Sequence, residues 1–519
     1  MPMEAKPDTV LEVTIDEMGK NLKRLSYKTL LRIQREVEKD AIKNPEKFFT
    51  HPDRDFTRTG KLGLEKLIKI LFHFDEDSVL QMLREMYKNN EENRPTPQAV
   101  SACRRKVKEY FFEYLFFRYT KAVNRILSKY REYTSCTLFR GIYHVLAVDG
   151  SDFTALSDPG CQEAYFVGQK GTKGYNMYHL NAVYNVMTGV FEDAMIKGRY
   201  KDSERAALLE MADRISSTAN DWVRKHTILM ADRGYQGIDT IARLIKSGMY
   251  YIIRIIEPNT DGSAFHDPEI PSDQETYDFE RTIRVRYYKD TSKKKANPDG
   301  RRWKKLKLKD DGSYPGNPGK LPEKDMYMRI IKLKIKVTEK DENGNEVGKI
   351  VSVYLATNLP KEVTPEEIGE LYQKRWKIEN AFRDLKKAVK AEKLHTRKAS
   401  LIMQEIWIHL TMFNYAAATG NFFAPRQGRK LERKLSFRSL YSCCSELLWS
   451  KGHYSAFEED VDNGRTSIRP NRHYERRLPD DNANQKKKRQ KKKAQKAAEK
   501  KNSVIQTEKP QKVQPVEAV

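Results

Sequence analysis

Cysteine is scarce in this chain. Five residues (Cys103, Cys136, Cys161, Cys443 and Cys444) are scattered over 519 positions, with no C-x-x-C pair and no Cys/His cluster. That excludes a disulfide framework and a structural zinc site, and it fits a reducing compartment. Long apolar runs are missing too: none approaches the roughly 18 residues of a membrane-crossing helix. The N-terminus lacks the order of a secretory leader, so a soluble, cytoplasmic chain with no membrane partner is expected. Acid is the third shortage, with 72 Asp and Glu against 97 Lys and Arg, a net charge of +25. Residues 486–501 (KKKRQKKKAQKAAEKK) hold ten basic residues and one acid, which leaves about +16 on the remainder. A body that basic implies a polyanionic partner, most often nucleic acid. Ribosomal and membrane-surface proteins share such an excess, so charge alone names no function.

Residues 20–130 read as helical. LGLEKLIKILFHF and SVLQMLREMY repeat their apolar residues at helical spacing. RPTPQAVSACRRKVKEYFFEYLFFRYTKAVNRIL opens another helical run, with Thr96 as N-cap and Pro97 at the first helical position. Gln98, Ser101, Arg104, Arg105 and Lys108 fall where a helix-turn-helix module would offer them to DNA; a bundle with a basic outer face accounts for them equally well. Residues 140–256 alternate strand and helix. YHVLAVDGSDF leads, then YNMYHLNAVYNV and VFEDAMIKG joined by a Thr188-Gly189 turn, then the helix KDSERAALLEMADRISS. TILMA, a helix from about Ile238 and YYIIRII complete this part. Over 258–350, β-like segments (RTIRVRYY, MRIIKLKIKV) flank a polar, basic, Gly/Pro-rich stretch, which reads as a β-rich insertion whose loop orders on a ligand. VSVYLATNL returns as a strand, and a further helical region covers 400–450.

One run carries chemistry. In LYQKRWKIENAFRDLKKAV, Tyr372, Arg375, Glu379 and Lys386 are separated by 3, 4 and 7 residues. On a single helix at about 100° per residue they fall within an arc of roughly 60°. Leu371, Ile378, Phe382, Leu385 and Val389 form the adjacent apolar stripe. A phenol, a guanidinium, a carboxylate and an ammonium side by side suit a phosphodiester: donors for phosphate oxygens, and an acid for a metal near the scissile bond. An amphipathic helix with a solvated charged border produces the same spacing. Thr364-Pro365-Glu366-Glu367 marks the helix start, with an N-cap, a proline at the first position and a capping-box Glu.

Two further acids end apolar runs: Asp149 after VLAV and Asp232 after TILMA. With Glu379 they supply hard oxygen donors suited to Mg²⁺ or Mn²⁺. Two such ions activate a water or sugar hydroxyl and stabilise the leaving 3′-oxygen in an in-line displacement, so no protein nucleophile is required. Each acid also has a plainer role open to it. Asp149 suits a turn before Gly150, with Asp152 a rival ligand. Asp232 suits a cap or a partner for Arg233, and Glu379 an ion pair with Arg383 or Lys386.

VLAVDGS, ADRGY and YQKRWKIENAFRDLK resemble the three catalytic segments of DDE transposases of bacterial insertion sequences. They are most similar to the insertion-sequence-four family with its Y-R-E-K motif. The likeness covers about 140–415, and the 147 positions between Asp232 and Glu379 leave room for that family's β-rich insertion. The resemblance implies an α/β fold: an RNase H-like core interrupted by a β-rich insertion, with helical N-terminal and C-terminal regions. It divides the chain into a helical DNA-end-binding domain (1–135), the core in two parts (136–257 and 351–420) around the insertion (258–350), a helical region (421–480) and a basic disordered tail (481–519). It implies Asp149, Asp232 and Glu379 as catalytic ligands of two Mg²⁺ ions, with Mn²⁺ a substitute, and Tyr372, Arg375 and Lys386 as phosphate contacts. Arg104 and Arg105 are the DNA contacts expected from the N-terminal domain. The implied activity is cut-and-paste transposition by a nucleoid-associated homodimer acting on inverted-repeat ends and target DNA, through hairpin intermediates by kinship. An RNase H-like metal nuclease without transposition and a non-catalytic transposon-derived DNA-binding protein are the alternatives. A covalent Tyr372 intermediate is disfavoured, since the acids need no protein nucleophile.

Other features are assigned minor parts. Lys170 and Lys173 read as a hairpin loop rather than as phosphate contacts, His179 and His409 as core or surface histidines, and Glu204 as a helix cap, with support of the site as its alternative. Trp303 is placed in the polar loop and Trp376 is expected to pack.

Overall fold

The computed structural model describes residues 21–57, 62–75, 77–167, 174–198, 203–289, 301–314, 322–340, 346–423, 433–449 and 454–467. Lys170, Lys173 and the basic tail lie outside these residues. The apolar runs of the middle of the chain become one mixed sheet. Its strands are β1 (His144–Ala155), β2 (Tyr165–Phe166), β3 (Tyr175–Asn185), β4 (Val190–Gly198), β5 (Thr227–Ala231) and β6 (Tyr250–Ile255). They continue as β7 (Tyr277–Lys289), β8 (Arg301–Lys305), β9 (Glu323–Lys340) and β10 (Glu346–Thr357). β3 and β4 form the expected hairpin, with Gly189 at φ +74° in its turn, a conformation that costs a glycine nothing.

Across the sheet the order is β4–β3–β1–β5–β6, with β1, β5 and β6 parallel and β3 antiparallel to β1. A three-strand meander followed by two parallel strands, with helices on both faces, is the RNase H-like arrangement. Successive side chains of a strand face opposite ways, and β1 shows it: Val145 and Ala147 enter one apolar core, Leu146 and Val148 a second. The first core is closed by the N-terminal helices α1 (Leu25–Lys43), α2 (Leu64–Leu71), α3 (Val79–Met86), α4 (Pro97–Arg104) and α5 (Glu109–Lys129), together with helices of the C-terminal part. The second core is closed by α6 (Glu204–Thr218) and α7 (Ile238–Lys246).

The β-rich insertion is a continuation of this sheet. β10 pairs antiparallel with β6, and β9, β7 and β8 follow outward. Trp303 lies in strand β8 opposite Tyr287, with rings 4.9 Å apart, and its backbone N–H donates to Asp239 at the start of α7. Its placement in a loop is therefore corrected: the alternation in RRWKK is too short and too charged to signal a strand without its partner.

After β10 come α8 (Pro365–Lys374), α9 (Lys377–Lys387), α10 (Ala399–Phe423), α11 (Phe437–Trp449) and α12 (Tyr454–Asn463). α10 is mostly apolar with no exposed polar face, its few polar residues included in the burial, and it packs on α1, α5, α11 and β4. The N-terminal helical run from Thr96 is two helices. Thr96 caps the first as expected, accepting from the N–H of Ala99 at 3.1 Å. The chain then breaks where Val107 makes a β-bridge to Phe49.

Candidate active site

β1 and β5 pair in parallel from His144↔Thr227 to Ala147↔Met230. Two residues further along that register, Asp149 stands level with Asp232. Side chains two residues apart share a face, so both acids follow Ala147 and Met230 onto the side of the first core. Asp149 is not at the end of its strand, as the sequence suggested, for β1 continues against β3 as far as Ala155. It reaches an edge because β5 stops at Ala231. The turn after β5 is held by Asp232 itself, whose Oδ1 accepts from the N–H of Gly234 at 2.7 Å.

Glu379 arrives from the same side on α9, which buries Ile378, Phe382 and Leu385 in the first core. The capping box at Thr364 is present, with Thr364 Oγ1 accepting from Glu367 N–H at 3.3 Å and Glu367 accepting from Thr364 N–H at 2.9 Å. The approach to α8 is fixed by Arg329 of β9, fully buried, which donates to the carbonyls of Leu359, Pro360 and Val363 and to the carboxylate of Asp278. The single helix expected here is two. The N–H groups of Arg375, Trp376 and Ile378 bond three residues back, at 3.0, 3.3 and 3.0 Å, a 3₁₀-type tightening between α8 and α9.

That tight turn aims Arg375 inward. Its side chain is 7% exposed; one amino group lies 3.0 Å from Glu379 Oε1 and the other 3.6 Å from Asp149 Oδ2. Its Nε is buried without a hydrogen-bond partner among the described residues. Tyr372 is buried beside it, ring 5.7 Å from the guanidinium, and its hydroxyl also has no such partner. Burial raises the Tyr372 pKa, against the fields of Arg375 and Arg254, with Asp232 acting the other way. Sequence reasoning misses Arg254. It is exposed on β6, where Ile252 two residues earlier enters the first core, and a single cation in the apolar run YYIIRII is the available signal.

Lys386 stands apart. Its ammonium lies 5.1 Å over the Phe153 ring, and burial lowers its pKa while Glu392 and Asp152 raise it. The helical arc thus unites Tyr372, Arg375 and Glu379 but carries Lys386 further along β1. Trp376, expected to pack, is 57% exposed with its ring 5.4 Å from the Arg375 guanidinium, because the tight turn rotates it outward.

Burial pushes the Asp149 carboxyl up to about 6. The Gly150 N–H and Arg375 pull it down, and Asp232 and Glu379 push it further up. The three acids therefore share one field. Their donor chemistry suits hard divalent cations, and one guanidinium leaves them with surplus negative charge. Among the described residues, no three His, Cys, Asp or Glu side chains stand as a closed metal-holding group; Arg375 bridges Asp149 and Glu379 instead.

The expected DNA contact at Arg104 is corrected. Arg104 is 4% exposed; it pairs with buried Glu405 of α10 at 2.8 Å and donates to Gln404 and to the Leu401 carbonyl. Its neighbour Arg105 is exposed. In a sequence both look like basic helix positions; only packing against α10 separates them. His409 is a core histidine, pushed down to about 4 by burial. His179, Asp152 and Glu204, three unrelated features in the sequence, meet behind β1.

The sheet is RNase H-like, with Asp149 and Asp232 level at one edge and Glu379 on a helix on the same side. Residues 140–415 match the family described as Transposase DDE domain. The chain belongs to that family. Among solved structures, a cryo-EM structure of a piggyBac transposase synaptic complex with hairpin DNA is similar at 9% identity and a TM-score of 0.34, over 89% of this chain and 87% of that one. A search of curated proteins gave no match.

Proposed function

We propose that this chain catalyses cut-and-paste DNA transposition, with Asp149, Asp232 and Glu379 as the catalytic acids. The observation that carries this reading is the meeting of Asp149 with Asp232 and Glu379 in one field, the buried Arg375 standing between Asp149 and Glu379. The acids would hold Mg²⁺, or Mn²⁺ in its place, which supplies activation of the attacking hydroxyl and charge stabilisation at the leaving 3′-oxygen. Arg375 is positioned to exchange its carboxylate partners for a phosphate oxygen in the fork geometry that guanidinium favours. Tyr372 adds a hydroxyl free to donate, Arg254 a second guanidinium at the same edge, and Lys386 a cation further along the bound strand. The exposed Trp376 ring offers a base-stacking surface beside them, worth about 1–3 kcal/mol per base. The insertion-sequence-four group, with its Y-R-E-K signature, is the kinship this residue set favours. Inverted-repeat ends and target DNA are the partners, and a homodimer brings two ends together.

The test uses the full-length chain, paired duplexes carrying the element's terminal repeats, and a target plasmid, with Mg²⁺ or Mn²⁺. Cleavage at the repeat boundary and joined end–target products are expected, and both should vanish in Asp149→Asn and Glu379→Gln. Hydrolysed ends without joined products would make the protein a nuclease. Binding without cleavage, or full cleavage by the Asp149→Asn variant, would overturn the assignment.

A further inference from the structure

On the face of β1 turned away from Glu379, His179 is clamped from two sides. It stands opposite Asp152 in the β1–β3 register, with Nδ1 2.5 Å from Asp152 Oδ1. Its Nε2 lies 3.3 Å from Glu204 Oε1, in the first turn of α6. The ring is 3% exposed and lies against the backbone of Gly150, the residue after Asp149. A Cβ at Gly150 would sit 2.4 Å from Nε2, 2.7 Å from Cε1 and 3.3 Å from Glu204 Oε1, so only glycine leaves the ring its place. The other Glu204 oxygen faces the turn that follows the second aspartate: it lies 3.9 Å from where a Cβ on Gly234 would stand. The imidazole thus lies against the Asp149 strand from behind, and the helix bearing Glu204 packs beside the turn that follows Asp232.

We propose that His179, held between Asp152 and Glu204, is a positioning residue that fixes the Asp149 strand and the Asp232 turn relative to each other. β5 ends before Asp232, so backbone pairing no longer sets the separation of the two acids; the Asp152–His179–Glu204 chain sets it instead. Misplacement of a catalytic group by about 1 Å can cost on the order of 100-fold in rate. A buried ring bonded at Nδ1 and facing a carboxylate at Nε2 resists such drift more than a ring with a carboxylate on one side alone. This inference rests on the catalytic reading of Asp149 and Asp232.

The experiment compares His179→Leu, His179→Gln and Glu204→Ala with the native chain. It measures single-turnover cleavage of a saturating terminal-repeat duplex and calorimetric Mn²⁺ binding to the protein–DNA complex. His179→Leu and Glu204→Ala should lose about 10–100-fold in both cleavage and Mn²⁺ affinity, as removal of outer-shell partners commonly does. Affinity for the duplex should stay unchanged. His179→Gln, whose amide still reaches toward Glu204, should recover part of the loss. Leucine performing as well as glutamine would make His179 a space-filler and overturn the proposal, as would native cleavage and Mn²⁺ binding in Glu204→Ala. Glu204 is half-exposed, so that variant decides the matter if His179→Leu does not fold. An Asp149→Asn control separates the two readings: if it still cleaves, the catalytic assignment fails, whereas its loss beside a fully active Glu204→Ala removes only the positioning role.

Discussion

Asp149 shows what a single residue costs and supplies. Its carboxyl is pushed up to about 6, chiefly by burial, so the folded state holds this proton more tightly than the unfolded chain does. The ionised form is therefore a burden on the fold that grows as pH rises from near 4 to above 6 and is absent below that window. Asp149→Asn should stabilise the chain at pH 7.5 by roughly 1–3 kcal/mol, since a tenfold change in proton affinity on folding is worth about 1.4 kcal/mol. The gain should vanish near pH 4, as urea unfolding at both values would show, while end cleavage is abolished. In the metal-free native protein Mn²⁺ affinity should fall as pH drops through about 6, because the proton competes with the cation for Asp149. Arg375 is the complementary case, a buried cation whose partners are the acids themselves. Arg375→Ala should reduce end cleavage far more than duplex binding in band-shift assays, and Arg375→Lys should restore little, because an ammonium cannot span two oxygens as a fork does. Equal losses of binding and cleavage would remove its local role.

At the scale of elements, the helices at the two ends of the chain are joined by buried charge. Arg104 of α4 meets Glu405 of α10, and Glu405 also accepts from the backbone N–H of His395 and contacts its ring. Removing one partner strands the other, which costs about 3–5 kcal/mol. Arg104→Ala should therefore lower the midpoint of unfolding sharply, whereas exposed Arg105→Ala should change stability by about 0.5 kcal/mol or less. If Arg104→Ala keeps native stability and loses only DNA affinity, the buried pair is not the structural joint described here. α8 and α9 were legible in part. Thr364, Pro365 and Glu367 announced the start, and the apolar stripe announced the buried face. The 3₁₀ turn at Arg375 was not legible, because nothing in KRWK distinguishes a tight turn from a regular one until the acids draw the guanidinium in.

Across the whole molecule, one sheet runs from β4 to β8, so the insertion is attached through continuous backbone pairing, with Arg329 tying it to the approach of α8. The net charge of +25 acts at the same scale. End affinity should fall steeply with salt, log affinity declining by about 0.9 per phosphate neutralised for each decade of salt. A flat salt response would separate the basic surface from DNA contact.

The amino-acid order by itself determined the apolar runs, the capped helix starts, the basic balance and three catalytic-type segments, because local propensity and periodicity act over a few residues. Only the tertiary structure decided that Asp149 becomes an edge residue where its neighbour strand ends, that Arg104 is buried while Arg105 is not, and that His179 meets Asp152 and Glu204. Those outcomes depend on register and packing between segments tens to hundreds of positions apart, and no local pattern encodes which partner will be there.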